Sequence, residues 1–341
     1  MVTACIIAQI HREARRPYSA NRSSHRALGQ RPARTRPDVI LFRTESEASD
    51  LSNISSQDVT IRLAAREDAP ACGAICFEAF AKINAAHGFP CDFPSPEVPK
   101  GLLSALFSSP DFYCVVAEVE GRLVGSNCMD ERAVIAGIGP ITVDPGVQNL
   151  GVGGKLMQAA LERASGRGAA GVRLVQAAFH NRSFSLYTRL GFDIQEPLAC
   201  LQGRPVERHV PGCEVRPAQT ADLDACNELS RRVHGFDRGR DLAQAIREQT
   251  ALVVERAGRI TGYASSLAFF GHTTAETNVD LQALIASKDS FGGPGLLVPT
   301  RNSALLRWCL NNGLRVVQPM NLMSLGLYNE PAGAWLPSIM Y

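Results

Sequence analysis

Apolar Val59, Ile61 and Leu63 alternate with polar Thr60 and Arg62, a period of two that predicts a strand. From Arg66 to Gly88 apolar residues recur at helical spacing, with Asp68 and Pro70 at the start and Gly88 past the end, predicting a helix. The stretch from His87 to Pro99 is broken by Pro90, Pro94, Pro96 and Pro99 and is predicted to be irregular. Two β-rich runs then flank Glu120-Gly121, the pattern of a hairpin. Residues 130–139 read as a loop leading to a short strand, Ile141 to Val143. After Asp144-Pro145 comes a turn carrying Gln148, Gly151, Gly153 and Gly154, and then a helix-forming run from Lys155. A strand from Gly171, a short helix closed by Gly191 and a strand from Asp193 to Gly203 complete the series.

From Cys213 the pattern begins again. Ile61-Arg62, Asp68 and Ala71-Cys72 have counterparts in Val215-Arg216, Asp222 and Ala225-Cys226 at one constant spacing. Gly121-Arg122 and Gly125 recur as Gly258-Arg259 and Gly262. Continuing in order, Val143 pairs with Val298, Gly171-x-Arg173-x-Val175 with Gly313-x-Arg315-x-Val317, and Leu190-Gly191 with Leu325-Gly326. Two tandem units are expected. The second has no glycine-rich turn after Val298, and Gly292, Gly293 and Gly295 precede that strand.

A strand that breaks into a glycine-rich turn and then a helix aims successive backbone N–H groups and the positive end of a helix dipole at one point, a site for an anion such as pyrophosphate. It is not a Walker loop, because Gly154-Lys155 is followed by Leu156 rather than Ser or Thr. Leu156 also stands where a Rossmann fingerprint needs its third glycine. The turn matches Q-x-x-G-x-G at Gln148, Gly151 and Gly153, directly after a V-D-P strand end, and Leu186-Tyr187-x-x-Leu190-Gly191-Phe192 follows downstream. Together these closely resemble the GNAT superfamily of N-acetyltransferases.

The resemblance implies an α/β (α+β) chain of two tandem GNAT-like domains, each a mixed, mostly antiparallel twisted sheet flanked by helices. The expected boundaries are 1–58 for a disordered basic arm, 59–210 for an acyl-CoA-binding catalytic domain and 211–341 for a degenerate domain lacking the pyrophosphate loop. The implied cofactor is acetyl-CoA (coenzyme A). Backbone groups of Ile141 and Val143 would face its pantetheine and thioester. The turn from Gln148 through Asn149, Gly151, Val152 and Gly153 to Gly154 would hold the pyrophosphate, with Lys155 close by. Tyr187 resembles the family tyrosine that protonates the departing thiolate. The family asparagine falls at His180 or its neighbour Asn181, and Ser183 is a further contact.

The reaction implied is direct attack by an amine on the thioester, and it needs a base that the family does not fix. Glu131, Glu118, His87 and Asp92 are the sequence candidates. The expected acceptor mouth favours Glu131, Asp92 and His87, with Glu131 taken as the catalytic base and His87, Phe89, Asp92 and Phe93 as a substrate wall. A second reading is a non-catalytic acyl-CoA-binding sensor or scaffold, which would not need Tyr187.

Composition narrows little further. A net charge of +2 over 341 residues argues neither for nor against a nucleic-acid partner, and it is the turn with its downstream motif that favours an enzyme over a nucleic-acid binder. No apolar run approaches the ~20 residues that span a membrane. The scattered cysteines form no CxxC pair, so no metal is expected, and reduced thiols in a cytoplasmic protein are the simplest reading. Between His11 and Arg36 stand 8 arginines and one acid, Glu13, with no sustained apolar period, hence the disordered arm. The acceptor is expected to be a small-molecule or peptide amine, of unspecified identity.

Overall fold

A computed structural model describes residues 58–148 and 150–341. The predicted basic arm, except Asp58, and Asn149 lie outside the described residues.

The first half runs β1 (Val59–Leu63), α1 (Ala69–Ala86), α2 (Glu97–Phe107), β2 (Phe112–Val119), β3 (Arg122–Asp130), β4 (Ile135–Val143), α3 (Val152–Gly166), β5 (Gly171–Ala177), α4 (Asn181–Arg189) and β6 (Asp193–Gly203). The expected order holds, with two corrections. Helix α2 occupies part of the stretch read as irregular. Pro96 is its N-cap and Pro99 lies in its first turn, where a missing N–H costs no helical hydrogen bond. Strand β4 begins at Ile135 rather than Ile141. Its glycines looked like loop residues, yet a Cβ at Gly137 would lie 2.1 Å from the carbonyl oxygen of Met340, so packing explains that glycine.

The second half runs β7 (Glu214–Pro217), α5 (Leu223–His234), α6 (Gly239–Arg247), β8 (Leu252–Arg256), β9 (Arg259–Ala264), β10 (Thr273–Ala275), α7 (Asn278–Ala286), β11 (Leu296–Pro299), α8 (Ser303–Asn311), β12 (Leu314–Gly326) and β13 (Ala334–Leu336). The repeat is visible in side chains. Arg62 bridges Asp68 and Glu118 at 2.7 Å each, while Asp68 Oδ2 accepts from the Ala65 N–H. Arg216 bridges Asp222 and Glu255, and Asp222 Oδ2 accepts from the Gln219 N–H, the same device in the second half.

The later pairings of the repeat need correction. Gly313 follows α8 at a φ of +88°, as Gly191 follows α4 at +92°. Each closes its helix and opens a long strand, so β12 corresponds to β6, β11 to β5 and α8 to α4. Gly313 is therefore the counterpart of Gly191, not of Gly171. The shared Gly-x-Arg-x-Val pattern only records two strands with a glycine at their start, Gly171 as the first residue of β5 and Gly313 just before β12.

The two halves share one sheet. Its strand order is β1-β2-β3-β4-β5-β12-β6-β11, so β12 from the second half lies between β5 and β6 of the first. β12 is antiparallel to both, from Met320↔Ala177 to Gly326↔Gly171 along β5 and from Leu314↔Gly203 to Ser324↔Asp193 along β6. A second sheet, β13-β10-β9-β8-β7, belongs to the second half alone. β4 and β5 are parallel and pair only over Ile135–Gly137 and Gly171–Arg173. Beyond that point they part, and the gap between them opens the site.

Asp68 and Asp222 are held below the ordinary carboxylate pKa of 3.8, chiefly by hydrogen bonds from Arg62 and Arg216. A carboxylate depressed in the fold adds stability that is complete above its unfolded pKa and is lost as pH falls through its folded one. Asp222→Ala is expected to lower the unfolding free energy at pH 7 by about 1–3 kcal/mol. The deficit relative to wild type should shrink below about pH 4, which urea titrations at pH 7 and pH 3 would check.

Candidate functional site

Past Gly137, β4 has β3 on one side, with Ile141↔Asn127, Thr142↔Ser126 and Val143↔Gly125, and no strand on the other. The strand edge left free needs hydrogen-bond partners from elsewhere. It faces a cavity of about 620 Å³ lined by Ile138–Val143 on one wall and Leu174–Ala177 on the other. Thr142 is buried on this wall, and its Oγ1 has no hydrogen-bond partner.

At the end of β4 the turn closes on itself through Gly146 N–H to Asp144 Oδ1 at 2.7 Å and Gln148 Nε2 to the Val143 carbonyl at 3.4 Å. Gly151 caps α3 at a φ of +79°, which favours glycine there for backbone reasons. Gly153 and Gly154 are different. A Cβ at Gly153 would make ordinary contact with Leu186 at 3.4 Å, and one at Gly154 would meet nothing within 4 Å. Both line the cavity, as do Gln148, Gly151 and Val152. The α3 N-terminus is acid-free in its first turn, so its free N–H groups and dipole end face open space. Lys155 does not join the turn: its Nζ donates to the Val59 carbonyl at 2.9 Å.

Helix α4 supplies the opposite wall. His180 is its N-cap, with Nδ1 accepting from the Ser183 N–H at 3.3 Å. Burial lowers its pKa, which favours the neutral ring. His180 and Ser183 line the cavity, whereas Asn181 is the first helical residue and does not. Asn302, the N-cap of α8, holds the equivalent place in the second half. Gln176 on β5 donates to the His180 carbonyl at 3.0 Å and to Ser183 Oγ at 3.1 Å, and Asn321 on β12 donates to Gln176 Oε1 at 3.1 Å. The strand from the second half thereby holds the start of α4. Tyr187 lines the cavity at 7% exposure, and no described residue hydrogen-bonds its hydroxyl. Burial raises its pKa, so the phenol stays protonated at neutral pH.

The acceptor-side expectations divide. Asp92 and Phe93 line the cavity. Asp92 Oδ1 accepts from Gln318 Nε2 at 3.0 Å and Asn84 Nδ2 at 3.3 Å, and no described residue bonds Oδ2. Burial raises the Asp92 pKa, while the two amide donors act against that shift. Phe89 instead stacks on Phe179 at 4.2 Å, and His87 packs on the same ring while its Nδ1 bonds the Ile83 carbonyl, so neither lines the cavity. Glu131 is not at the site either. Its carboxylate takes a two-point contact from Arg163, at 2.8 and 3.1 Å, and faces Arg167 at 3.4 Å, outside the cavity lining. Glu118 is bound by Arg62.

Several lining residues escaped sequence reading. Met320 comes from β12, Phe269 and Phe270 from the turn before β10, and Ile339 and Met340 from the chain end, while Gln318 on β12 stands behind the lining and reaches it only through Asp92. Asn84 had one visible signal, an amide in a helix whose other polar side chains are Glu78 and Lys82. Arg182, whose Nη1 donates to Gln148 Oε1 at 2.8 Å, and Arg189 flank the turn on the cavity rim.

The second half offers no equivalent turn. Only Glu276 and Thr277 separate β10 from α7, and the α7 N-terminus is capped by its own Asp280, whose Oδ2 accepts from the Thr277 N–H at 3.0 Å. β13 lies beside β10, with Thr273↔Leu336, where the first half has its gap. The position of Tyr187 relative to the closing glycine is taken by buried Cys309.

Residues 81–192 match the family model described as Acetyltransferase (GNAT) family. A comparison with curated proteins finds no match. Among solved structures, a Pyrococcus horikoshii protein assigned as an acetyltransferase is 20% identical with a TM-score of 0.65, covering 83% of this chain and 96% of its own. A GCN5-related N-acetyltransferase from Sphaerobacter thermophilus is 16% identical with a TM-score of 0.56, covering 81% of this chain and 98% of its own. At these identities the likeness is one of fold, and it extends over both halves.

Removing an amide donor from a carboxylate disfavours its charged form. Gln318→Leu is therefore expected to raise the Asp92 pKa further. Carbon-detected NMR titration of the Asp92 carboxyl checks this, and an unchanged midpoint would show that the bond does not hold in solution.

Proposed function

We propose that the protein, whose residues 81–192 match the GNAT acetyltransferase family model, is an acetyl-CoA-dependent N-acetyltransferase in which the amine attacks the thioester directly. The observation that carries this reading is the continuity of one cavity from the Gln148–Gly154 turn, past Tyr187, to Asp92.

The residues present suit acetyl-CoA. Gly153 and Gly154 leave open the space a Cβ would fill, the α3 N-terminus presents free N–H groups to an anion, and Arg182 and Arg189 add positive charge at the rim. The free edge of β4 and the unpartnered Thr142 Oγ1 provide polar groups for an amide-bearing arm. When bound, acetyl-CoA supplies an activated acetyl group. His180 and Ser183 take the place expected for the family asparagine, and Asn181 is set aside. Lys155 is a structural lysine tied to β1.

In this reading Asp92 draws in the acceptor ammonium and takes a proton from it, and its raised pKa makes it a stronger base than an ordinary carboxylate. The neutral nitrogen forms a C–N bond to the acetyl carbon as the C–S bond breaks, with the electron pair remaining on sulfur. Tyr187 hydrogen-bonds that sulfur and gives it a proton as charge develops. Of the two protons the nitrogen sheds, one leaves through Asp92 and the other replaces the one Tyr187 has given. Glu131, held by two arginines, has no part. The second half contributes a wall and the hydrogen bonds of Gln318 and Asn321 rather than a second acyl-CoA site. A cytoplasmic setting suits the free cysteines of the described residues, and none of their helices is long and apolar enough to cross a membrane.

Two variants test the assignment. Tyr187→Phe is expected to lower kcat by about 10²–10⁴-fold while leaving the acetyl-CoA Kd within about twofold. Thiol release and calorimetry separate these quantities, and an unaltered kcat would remove Tyr187 from the chemistry. Gly154→Ala should keep or raise the Tm, because alanine favours a helix by up to about 1 kcal/mol over glycine. It should also weaken acetyl-CoA at least about tenfold, since the methyl would enter ligand space (about 1.4 kcal/mol).

A further inference from the structure

The inner end of the cavity has a composition that separates one class of amine from the others. Phe80 and Phe93 meet edge to face at 5.5 Å and 88°, and Phe269 and Phe270 do the same at 5.8 Å and 84°. Both pairs line the cavity, one from each half of the chain. Met320 and Ile339 add to the same apolar wall. Within it, Asp92 is the one acidic side chain among the described lining residues, and its Oδ2 is without a partner. The charged residues at the rim, Lys82, Arg182 and Arg189, are all cationic.

We propose that the acceptor is a primary monoamine on an apolar body of aromatic size, its nitrogen at Asp92 and its body between the two phenylalanine pairs. This rests on the acetyl-transfer reading above and names its substrate class. A single buried carboxylate neutralises one ammonium. A second positive charge on the same molecule would be buried among aromatic and aliphatic groups without a counter-ion, at a cost of several kcal/mol. Polyamines and aminoglycosides, which carry several ammonium groups, are disfavoured on that ground. The volume of about 620 Å³ matches a small ligand with part of an acyl-CoA arm rather than a folded protein surface. The cavity wall from the second half explains why the class is not readable in residues 81–192 alone.

The test uses the full chain with coenzyme A bound and two probes, 2-phenylethylamine and spermidine. Calorimetry measures binding of each, and thiol release from acetyl-CoA measures turnover. 2-Phenylethylamine is expected to bind and to be acetylated with kcat/KM at least about 100-fold above spermidine. Asp92→Asn and Phe269→Leu should each weaken its binding at least about tenfold. Retained acetyl-CoA affinity in both variants shows that they fold. Phe93→Leu serves as a second probe of the wall should Phe269→Leu fail to express. Preference for spermidine, or no binding of 2-phenylethylamine, overturns the inference while leaving acetyl transfer intact if thiol is released with any amine. Asp92-dependent binding of 2-phenylethylamine without thiol release from any amine supports the ligand class of the cavity and instead overturns the acetyl-transfer reading.

Discussion

The position of β12 constrains everything else in this molecule. β5 pairs with β4 for only three residues, and a strand left with two open edges would be unstable. Its other edge is covered over its full length by β12, which comes from the far end of the chain. The gap between β4 and β5 can therefore stay open without leaving β5 unsupported. The same strand carries Asn321 to Gln176, which fixes the start of α4, and Gln318 to Asp92, which fixes one oxygen of the one acid among the described lining residues. One exchanged strand thus supports the backbone, orients α4 and adds Met320 to the cavity wall.

The halves share a plan and differ where ligand binding needs them to differ. Both retain the arginine bridge between a strand and a helix-start aspartate, because that contact is structural in each. In the first half a long turn leaves the α3 N-terminus uncapped by any acid. In the second, Asp280 occupies the equivalent helix start and β13 fills the space beside β10. A helix N-terminus that already holds a buried carboxylate has no vacancy for phosphate.

What could be read from the sequence was what is local. The Gln148–Gly154 turn, the helix closed by Gly191 and the early repeat around Arg62 and Arg216 are short-range patterns, and each has a place in the fold. The reasons for the glycines were only partly legible. Gly151 answers to its backbone angle and Gly137 to a close carbonyl, whereas Gly154 faces empty space. Helix α2 was hidden by prolines that fall in its capping turn. Glu131 misled because an acid in a loop looks the same whether it meets a cavity or Arg163 and Arg167, which arrive from a helix remote in sequence. Gln318, Phe269 and Met320 carried no local signal at all. The places of Gln318 and Met320 follow from a strand crossing between halves, that of Phe269 from a turn of the second half, and no residue pattern within 59–210 encodes either.

The central claim is that the chain holds one acyl-CoA, in the gap between β4 and β5, and that the second half has given up that capacity. Isothermal titration of acetyl-CoA into the full chain measures it directly. The account predicts saturable binding at one molecule per chain. Two molecules per chain would contradict the reading of the second half, and the absence of binding would contradict the reading of the first.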